Sequence, residues 1–183
     1  MKSKILVVVG VLIVLMVSAY LYLDNRNRTL SPPGHAEVTT FDKLTISVDY
    51  SRPSVRNRVV FGTEEEDALQ PYGHYWRLGA YESTEMTINR DVTFNGQDLN
   101  AGTYKLYAIP GKDEFEIGVS TETGTWGYAE PDYDKDVLRT KVKATEGGLT
   151  EQFTIGFKET DFGAVMVFSF EQVRFAVKIE PRF

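Results

Sequence analysis

Hydrophobic and polar residues alternate with a period of two in several segments of this chain, and this pattern constrains its fold most strongly. Successive side chains of a β-strand point to opposite faces, so such alternation predicts strands with one buried face. Residues 164–170 are apolar on both faces, which predicts a central strand. Only residues 5–23 read as a helix. The alternating segments span residues 44–50, 104–108, 115–119, 138–142, 153–157 and 173–179.

Turn signals separate the predicted strands. Asn95-Gly96 is typical of a tight hairpin, and glycine or proline pairs mark further reversals. We therefore predict an all-β domain, an antiparallel β-sandwich (jelly-roll or Ig-like) of about nine to ten strands. Two segments lack the strand alternation. Residues 51–58 (SRPSVRNR) are predicted to be an irregular or edge segment, and residues 62–75 are predicted to be a long loop.

The N-terminus carries a different signal. Residues 5–23 form a run of 19 residues without a charge, after a basic start at Lys2 and Lys4. That length suits a helix crossing about 30 Å of hydrocarbon. We predict a cytoplasmic N-terminus at residues 1–4, a transmembrane anchor at 5–23 and a linker at 24–35. The domain, residues 36–183, then lies in the periplasm or outside the cell.

Two alternatives to the anchor remain. Val17-Ser18-Ala19 has the small residues of a signal-peptidase site, so cleavage near Ala19 would give a secreted protein. Against cleavage, the apolar run continues to Leu23, where a cleaved peptide usually turns polar. A helix buried in a soluble protein is the other alternative.

Charge and cysteine content exclude several function classes. Four basic residues and one acidic residue precede Leu30, which leaves 16 basic and 25 acidic residues from Leu30 onward, a net charge of −9. Such a surface repels phosphate backbones, so nucleic-acid binding is not expected. The chain has no cysteine, which excludes disulfides and attachment through a lipidated cysteine.

The segment from Trp76 to Thr84 (WRLGAYEST) combines an arginine, a glutamate and two aromatic residues. Arg77 and Glu82 resist burial unless they are paired. Their odd separation would place them on opposite faces of a straight strand. We predict that the chain bends near Gly79-Ala80, so that Arg77 is buried and pairs with a carboxylate, with Glu82 as the leading candidate.

An ordered set of motifs resembles an uncharacterised family of exported bacterial proteins, a domain of unknown function. The resemblance spans roughly Ser31 to the C-terminus. In the Trp-Arg-Thr-Gly-Ala-Asn-Glu-Ala-Thr pattern of the family, this chain has Leu78, Tyr81 and Ser83 in place of threonine, asparagine and alanine. The resemblance implies an exported β domain and supplies no mechanism. The motifs are YSRPS (50–54), FG (61–62), PYG (71–73), WRxGAxExT (76–84), AGTYKL (101–106), IPG (109–111), WG (126–127) and DVLR (136–139).

Signals for catalysis, metals and cofactors are weak. Without cysteine or a G-x-S-x-G motif, Glu82 assisted by His74 is the leading candidate for hydrolysis. Carboxylate pairs that include Glu82 or Glu85 are an alternative, although their spacing singles out no acid and base. His74 otherwise reads as an exposed loop histidine, and His35 as part of the linker. Two distant histidines predict no zinc site, and residues 130–136 read as a solvated acidic loop rather than a calcium site. We therefore expect no metal and no cofactor.

Binding is easier to support than catalysis. Aromatic residues beside arginine and carboxylates are common in sites for small molecules, carbohydrates or proteins. The first hypothesis is thus a membrane-anchored domain that acts as a ligand-binding or protein-interaction module. The alternatives are an envelope hydrolase, or a structural domain whose aromatic residues close the ends of the sandwich. The candidate ligand-binding residues are Arg52, Trp76, Arg77, Tyr81, Glu82 and Trp126.

Overall fold

The computed structural model describes residues 2–182, which form one N-terminal helix followed by a sandwich-like all-β domain. Helix α1 spans Lys2–Leu30, and a 3-10 helix (Tyr133–Lys135) precedes the tenth strand. The strands, in chain order, are β1 (Pro33–Thr39), β2 (Thr45–Ser51), β3 (Phe61–Gly62), β4 (Gln70–Pro71), β5 (Thr84–Ile88), β6 (Val92–Phe94), β7 (Gln97–Leu99), β8 (Gly102–Ile109), β9 (Glu114–Ser120), β10 (Asp136–Lys143), β11 (Thr145–Thr160) and β12 (Gly163–Pro181).

The strands assemble into two antiparallel sheets and one small parallel pair. The larger sheet has the order β1-β2-β5-β8-β9-β10, the smaller has the order β11-β12-β6-β7, and β3 pairs with β4. This architecture confirms the prediction of an antiparallel sandwich. Residues 2–182 contain twelve strands rather than nine or ten. Strand β1 begins within the predicted linker, β3 ends at the first residue of the predicted loop, and β4 lies within that loop. The double-sided apolar segment 164–170 lies in β12, which is internal to the smaller sheet.

The region predicted as a linker is more ordered than expected. Residues 24–30 continue α1, and β1 begins at Pro33 and pairs with β2 along its whole length. Only Ser31 and Pro32 therefore separate the helix from the domain. The polar residues after Leu23 can extend the helix because none of them is glycine or proline.

Aromatic rings fill the centre of the sandwich. Trp76 is 1% exposed, and its ring centroid lies 5.2 Å from that of Phe61 and 5.0 Å from that of Phe153. The backbone of Trp76 is fixed by two hydrogen bonds with Ala108 of β8, each 2.8 Å long. The segment 72–83 is therefore attached to the larger sheet before it reaches the candidate site.

Strand β8 departs from the predicted alternation. Tyr104, Leu106 and Ala108 are buried as expected, but Lys105 and Tyr107, predicted to face solvent, are buried as well. The Lys105 ammonium donates to Thr125 Oγ1 at 3.2 Å, and the Tyr107 hydroxyl donates to Asp136 Oδ2 at 2.6 Å. The prediction of an exposed face was wrong here because later segments of the chain cover it.

Candidate functional site

A cavity of about 480 Å³ lies between the end of α1 and four segments of the domain, at residues 53–58, 69–70, 77–81 and 126–128. We call it the arginine–aromatic groove, since three arginines and three aromatic residues line it. Its lining comprises Leu30, Ser31, Pro53, Ser54, Arg56, Arg58, Leu69, Gln70, Arg77, Gly79, Ala80, Tyr81, Trp126 and Tyr128.

A tight turn presents Arg56 and Arg58 to the groove. The Arg58 N–H donates to Val55 O at 3.2 Å, and Arg56 and Asn57 have φ angles of 52° and 54°. These left-handed conformations at both central positions are those of a type I′ turn, which non-glycine residues adopt rarely. The Val55 N–H also donates to Glu151 O at 2.8 Å, which fixes the turn to β11.

The guanidinium groups of the three arginines in the groove are bonded to carbonyl groups, whereas the backbone N–H of Arg56 donates to Glu151 Oε1 at 3.0 Å. Arg56 Nη2 donates to Leu30 O at 2.7 Å, and Arg58 Nη2 donates to Ser54 O at 2.7 Å. Arg77 Nη1 makes only a long contact of 3.5 Å with Tyr81 O. Within residues 2–182, none of the three forms an ion pair, and no carboxylate lines the groove. The groove is therefore locally cationic in an acidic domain.

The bend predicted near Gly79-Ala80 is present. Residues 78–81 form bends, with φ angles of 51° at Leu78 and 60° at Tyr81. Gly79 packs so closely on β2 that a Cβ atom there would lie 2.9 Å from Ser51 O. The Thr84 hydroxyl donates to Leu78 O at 2.6 Å, which closes the bend.

The predicted ion pair between Arg77 and Glu82 is absent. The Glu82 side chain is 59% exposed and its nearest cation is Arg28 Nη2, at 3.8 Å. Arg77 is half-buried instead over the ring of Tyr128, with its guanidinium carbon 5.4 Å from the ring centroid. Burial lowers the pKa of Arg77, and neighbouring tyrosines partly offset this effect. The pairing prediction was wrong because the loop after β9 brings an aromatic face, and no carboxylate, to Arg77.

That loop, residues 121–132, carries the two most exposed aromatic rings of the groove. Trp126 is 62% exposed and Tyr128 is 76% exposed. The loop backbone is nevertheless held firmly: the Gly127 N–H donates to Tyr81 O at 2.9 Å, and the Gly124 N–H donates to Glu85 Oε1 at 2.6 Å. A fixed backbone therefore displays two exposed rings at the rim.

A second cavity, of about 470 Å³, adjoins the groove and shares Trp126 with it. Its charged lining residues are Arg28, Asp49, Glu82 and Glu85. It therefore has mixed polarity, in contrast to the cationic groove.

The structure places the sequence-predicted binding residues in four locations. Arg77, Tyr81 and Trp126 line the groove, and Glu82 lines the second cavity. Trp76 lies in the core, where no ligand reaches its ring. Arg52 lines neither cavity, because Nε donates to Phe153 O at 3.3 Å and Nη2 to Thr154 Oγ1 at 3.2 Å. Arg52 thereby ties the larger sheet to β11.

The hydrolase candidates have separate partners. His74 Nε2 lies 3.0 Å from Glu64 Oε1, whereas Glu82 lies beside Arg28. His74 does not line the second cavity, which Glu82 lines. The geometry therefore does not assemble an acid–base pair from these two residues.

The acidic segment 130–136 is occupied by internal contacts. The Asp132 side chain accepts the Asp134 N–H and caps the 3-10 helix, while Asp136 Oδ2 accepts from Arg139 Nε at 2.7 Å. Lys135 Nζ lies 3.2 Å from Glu122 Oε1. In the part of the chain that the structure describes, no three acidic or histidine side chains are grouped as metal ligands.

Sequence reasoning missed Arg56, Arg58 and Tyr128 as members of one site. The available signal was the segment SRPSVRNR, which places three arginines within eight residues of an acidic domain. The sequence predicts an irregular or edge segment there, with Arg52 as its one candidate ligand-binding residue. Its neighbours in the groove are distant in sequence, so the arginine cluster alone did not reveal a cavity.

The comparisons with known proteins agree with the resemblance found in the sequence. No curated protein and no solved structure matches the chain. One family model matches residues 31–179, and its description is "Protein of unknown function (DUF2911)". The matched region begins directly after α1 and includes every strand apart from the last two residues of β12. The chain therefore belongs to the DUF2911 family, a family of proteins of unknown function.

Proposed function

We propose that this protein is a membrane-anchored binding module of the cell envelope, and that its arginine–aromatic groove takes an anionic ligand. The observation that carries this proposal is that, within residues 2–182, the side chains of Arg56, Arg58 and Arg77 form no ion pair with a carboxylate. All three line one cavity of about 480 Å³ that no carboxylate lines. In a domain with a net charge of −9, such a cationic cavity favours an anion from outside the domain.

The chemistry of the lining suits a phosphate or carboxylate group. Guanidinium groups bind such groups through two parallel hydrogen bonds and remain charged at physiological pH. Tyr81, Trp126 and Tyr128 add aromatic faces for an apolar or sugar portion of the ligand. The volume lies within the range of small-molecule sites, about 300–1,000 Å³.

The helix supports the anchoring part of the proposal. Residues 4–30 form a helix long and apolar enough to cross a membrane. Its most apolar stretch of 18 residues is not buried against the domain. A core helix of a soluble protein would bury one face, so α1 is suited to lipid or to cleavage as a signal sequence. Lys2 and Lys4 favour a cytoplasmic N-terminus and an exported domain.

Membrane fractionation and N-terminal sequencing of the native protein test the anchor. We expect the protein in the membrane fraction with α1 intact. A mature chain that begins near Tyr20 and is found in the soluble fraction would contradict anchoring, without affecting the groove.

Tryptophan fluorescence tests the binding function. The chain has two tryptophans, of which Trp126 lines the groove and Trp76 is buried. We expect pyrophosphate, added to the full chain in neutral detergent micelles, to change the emission saturably. The change should disappear in Trp126→Phe and in the triple variant Arg56→Gln/Arg58→Gln/Arg77→Gln.

A matched control removes the same charge elsewhere. Lys43, Lys112 and Lys158 are exposed and lie outside the groove, so Lys43→Gln/Lys112→Gln/Lys158→Gln should bind as the native chain does. If native protein gives no saturable response, or if both triple variants respond equally, the groove is not an anion site and the structural-domain alternative is favoured.

A further inference from the structure

We infer that the anion of the groove is the phosphate of an anionic phospholipid in the leaflet where α1 ends. This inference rests on the proposed function and names its ligand class. The protein would then bind the membrane surface beside its own anchor, and the domain would have a fixed orientation on that surface.

The height of the groove supports a lipid headgroup. Leu30 and Ser31 line the groove, and Leu30 lies seven residues beyond Leu23, where the apolar run ends. At 1.5 Å per residue this places Leu30 about 10 Å above the hydrocarbon. The polar headgroup layer on each side is about 5–8 Å thick. The groove wall formed by the helix end therefore lies about 2–5 Å beyond the headgroup layer, a gap that long arginine side chains can span.

The connection between helix and domain keeps the groove at this height. Arg56 Nη2 donates to the last carbonyl of α1, Leu30 O, and Arg28 lies 3.8 Å from Glu82. With only Ser31 and Pro32 between α1 and β1, the domain has little freedom to move away from the bilayer. A soluble anion would not need a groove tied to the end of the anchor.

The exposed aromatic residues provide an independent argument for lipid. Tryptophan and tyrosine are favoured at membrane interfaces, because their rings combine an apolar body with a polar tip. Trp126 and Tyr128 display such rings at the rim of the groove. Tyr20 and Tyr22 are also aromatic residues with a polar tip, and they lie at the end of the apolar run of α1. An interfacial position therefore suits both groups of aromatic residues.

Charge complementarity completes the argument. The net charge of −9 repels the domain as a whole from an anionic surface. The groove, with three arginines and no carboxylate in its lining, is the face that such a surface attracts. Each basic residue close to an anionic membrane contributes about fivefold to binding.

The test compares an anionic phospholipid with a soluble phosphate ester that resembles part of its headgroup. Full-length protein in neutral detergent micelles is titrated with short-chain phosphatidylglycerol, short-chain phosphatidylcholine and glycerol 3-phosphate, and Trp126 emission is followed. We expect saturable binding of phosphatidylglycerol at least about fivefold tighter than that of the other two probes. Trp126→Phe removes the signal, and reconstitution into nanodiscs should shift native emission to the blue only when phosphatidylglycerol is present.

Arginine variants locate the site. Arg56→Gln/Arg58→Gln/Arg77→Gln should abolish the preference for phosphatidylglycerol, while Lys43→Gln/Lys112→Gln/Lys158→Gln should retain it. Because Arg56 and Arg58 also bond the backbone, Arg77→Gln alone provides a milder variant and should weaken phosphatidylglycerol binding about fivefold. A thermal melt of each variant confirms folding.

The outcomes separate this inference from the proposed function. If glycerol 3-phosphate or pyrophosphate binds as tightly as phosphatidylglycerol, the groove binds a soluble anion and the lipid inference is wrong. Equal binding of the two lipids, or an undiminished preference in Arg77→Gln, also overturns it. Failure of every anionic probe would overturn both the inference and the proposed function.

Discussion

At the scale of single residues, Tyr107 illustrates how the outer face of the larger sheet becomes buried. Its ring lies over Gly118 of β9, and its hydroxyl donates to Asp136 at 2.6 Å. Burial is the main reason that the pKa of Tyr107 is raised, and the bond to Asp136 adds to it. Any side chain larger than hydrogen at position 118 would occupy the space of this ring.

Gly118→Ala should therefore destabilise the protein. An ideal Cβ atom at this position would lie 2.0 Å from Tyr107 Cζ, so the buried ring must move. Overpacking of this kind costs about 1–3 kcal/mol. Gly156→Ala is the matched control, because Gly156 also lies within a strand and a Cβ atom there meets nothing within 4 Å. Denaturant unfolding of both variants measures the difference, and equal stabilities would contradict the packing argument.

His35 is a second residue whose environment leads to a testable prediction, here about its pKa. Its Nδ1 lies 2.7 Å from Asp49 Oδ1, across the β1–β2 pair. This hydrogen bond is the largest cause of a raised imidazole pKa, and the charge of Glu37 contributes a smaller part.

Asp49→Asn should lower the pKa of His35 towards its ordinary value. Since the folded-state pKa is raised, the Asp49 contact stabilises the fold fully below the unfolded pKa of histidine. That stabilisation is lost as the pH rises through the folded pKa. The variant should therefore lose stability in mild acid and little at alkaline pH. NMR titration of the two histidines, with His74→Gln for assignment, measures the pKa. An unchanged His35 pKa in Asp49→Asn would contradict this account.

At the scale of elements, the bend at residues 78–81 and the loop at residues 121–132 form one unit. Backbone hydrogen bonds from Gly127 to Tyr81 and from Ser83 to Thr125 join them. Arg77 and Tyr128 then meet at the surface of this unit, 5.4 Å apart. The groove exists because these two irregular segments are docked on each other.

A pair of double-mutant cycles should distinguish the partner of Arg77. We expect a coupling of about 0.5–1 kcal/mol between Arg77→Ala and Tyr128→Ala, the range of exposed cation–π contacts. The cycle of Arg77→Ala with Glu82→Ala should show almost no coupling, because Glu82 is exposed and faces Arg28. Unfolding in denaturant measures both. A coupling of several kcal/mol between Arg77 and Glu82 would instead support the predicted buried ion pair.

At the scale of the whole molecule, the helix and the β domain are energetically separate. The hydrophobic core begins at Leu44 and contains no residue of α1. The contacts between the two parts are polar and few, such as Arg56 to Leu30 O and Arg28 to Glu82. The stability of the domain should therefore depend on its own core.

A chain that begins at Ser31 should fold alone as a β protein. Circular dichroism should give a β spectrum and one cooperative melt that a chelator does not change, because no metal cluster lies among residues 2–182. Loss of the α1 contacts should change the stability of the domain little, since the groups involved are exposed and screened by water. The full chain in detergent is the reference. A helical spectrum or a chelator-dependent melt would show that this separation is wrong.

The amino-acid sequence by itself determined the all-β class, most of the longer strands and the presence of the N-terminal helix. Period-two alternation at Leu44–Tyr50 or Phe115–Val119 reports one buried face, and an uncharged run of 19 residues reports a membrane-length helix. Both signals are local, so no tertiary contact is needed to detect them. The bend at Gly79-Ala80 was also predictable, because glycine permits the close approach to Ser51 that the bend requires.

Only the tertiary structure decided which residues form the site. Arg56, Arg77 and Trp126 belong to three segments that are distant in sequence, and each segment is irregular, so no periodicity relates them. Burial of Lys105 and Tyr107 likewise depends on loops that fold back over β8. The pairing of Arg77 was mispredicted for the same reason: proximity along the chain favoured Glu82, whereas docking of the loop after β9 supplied Tyr128.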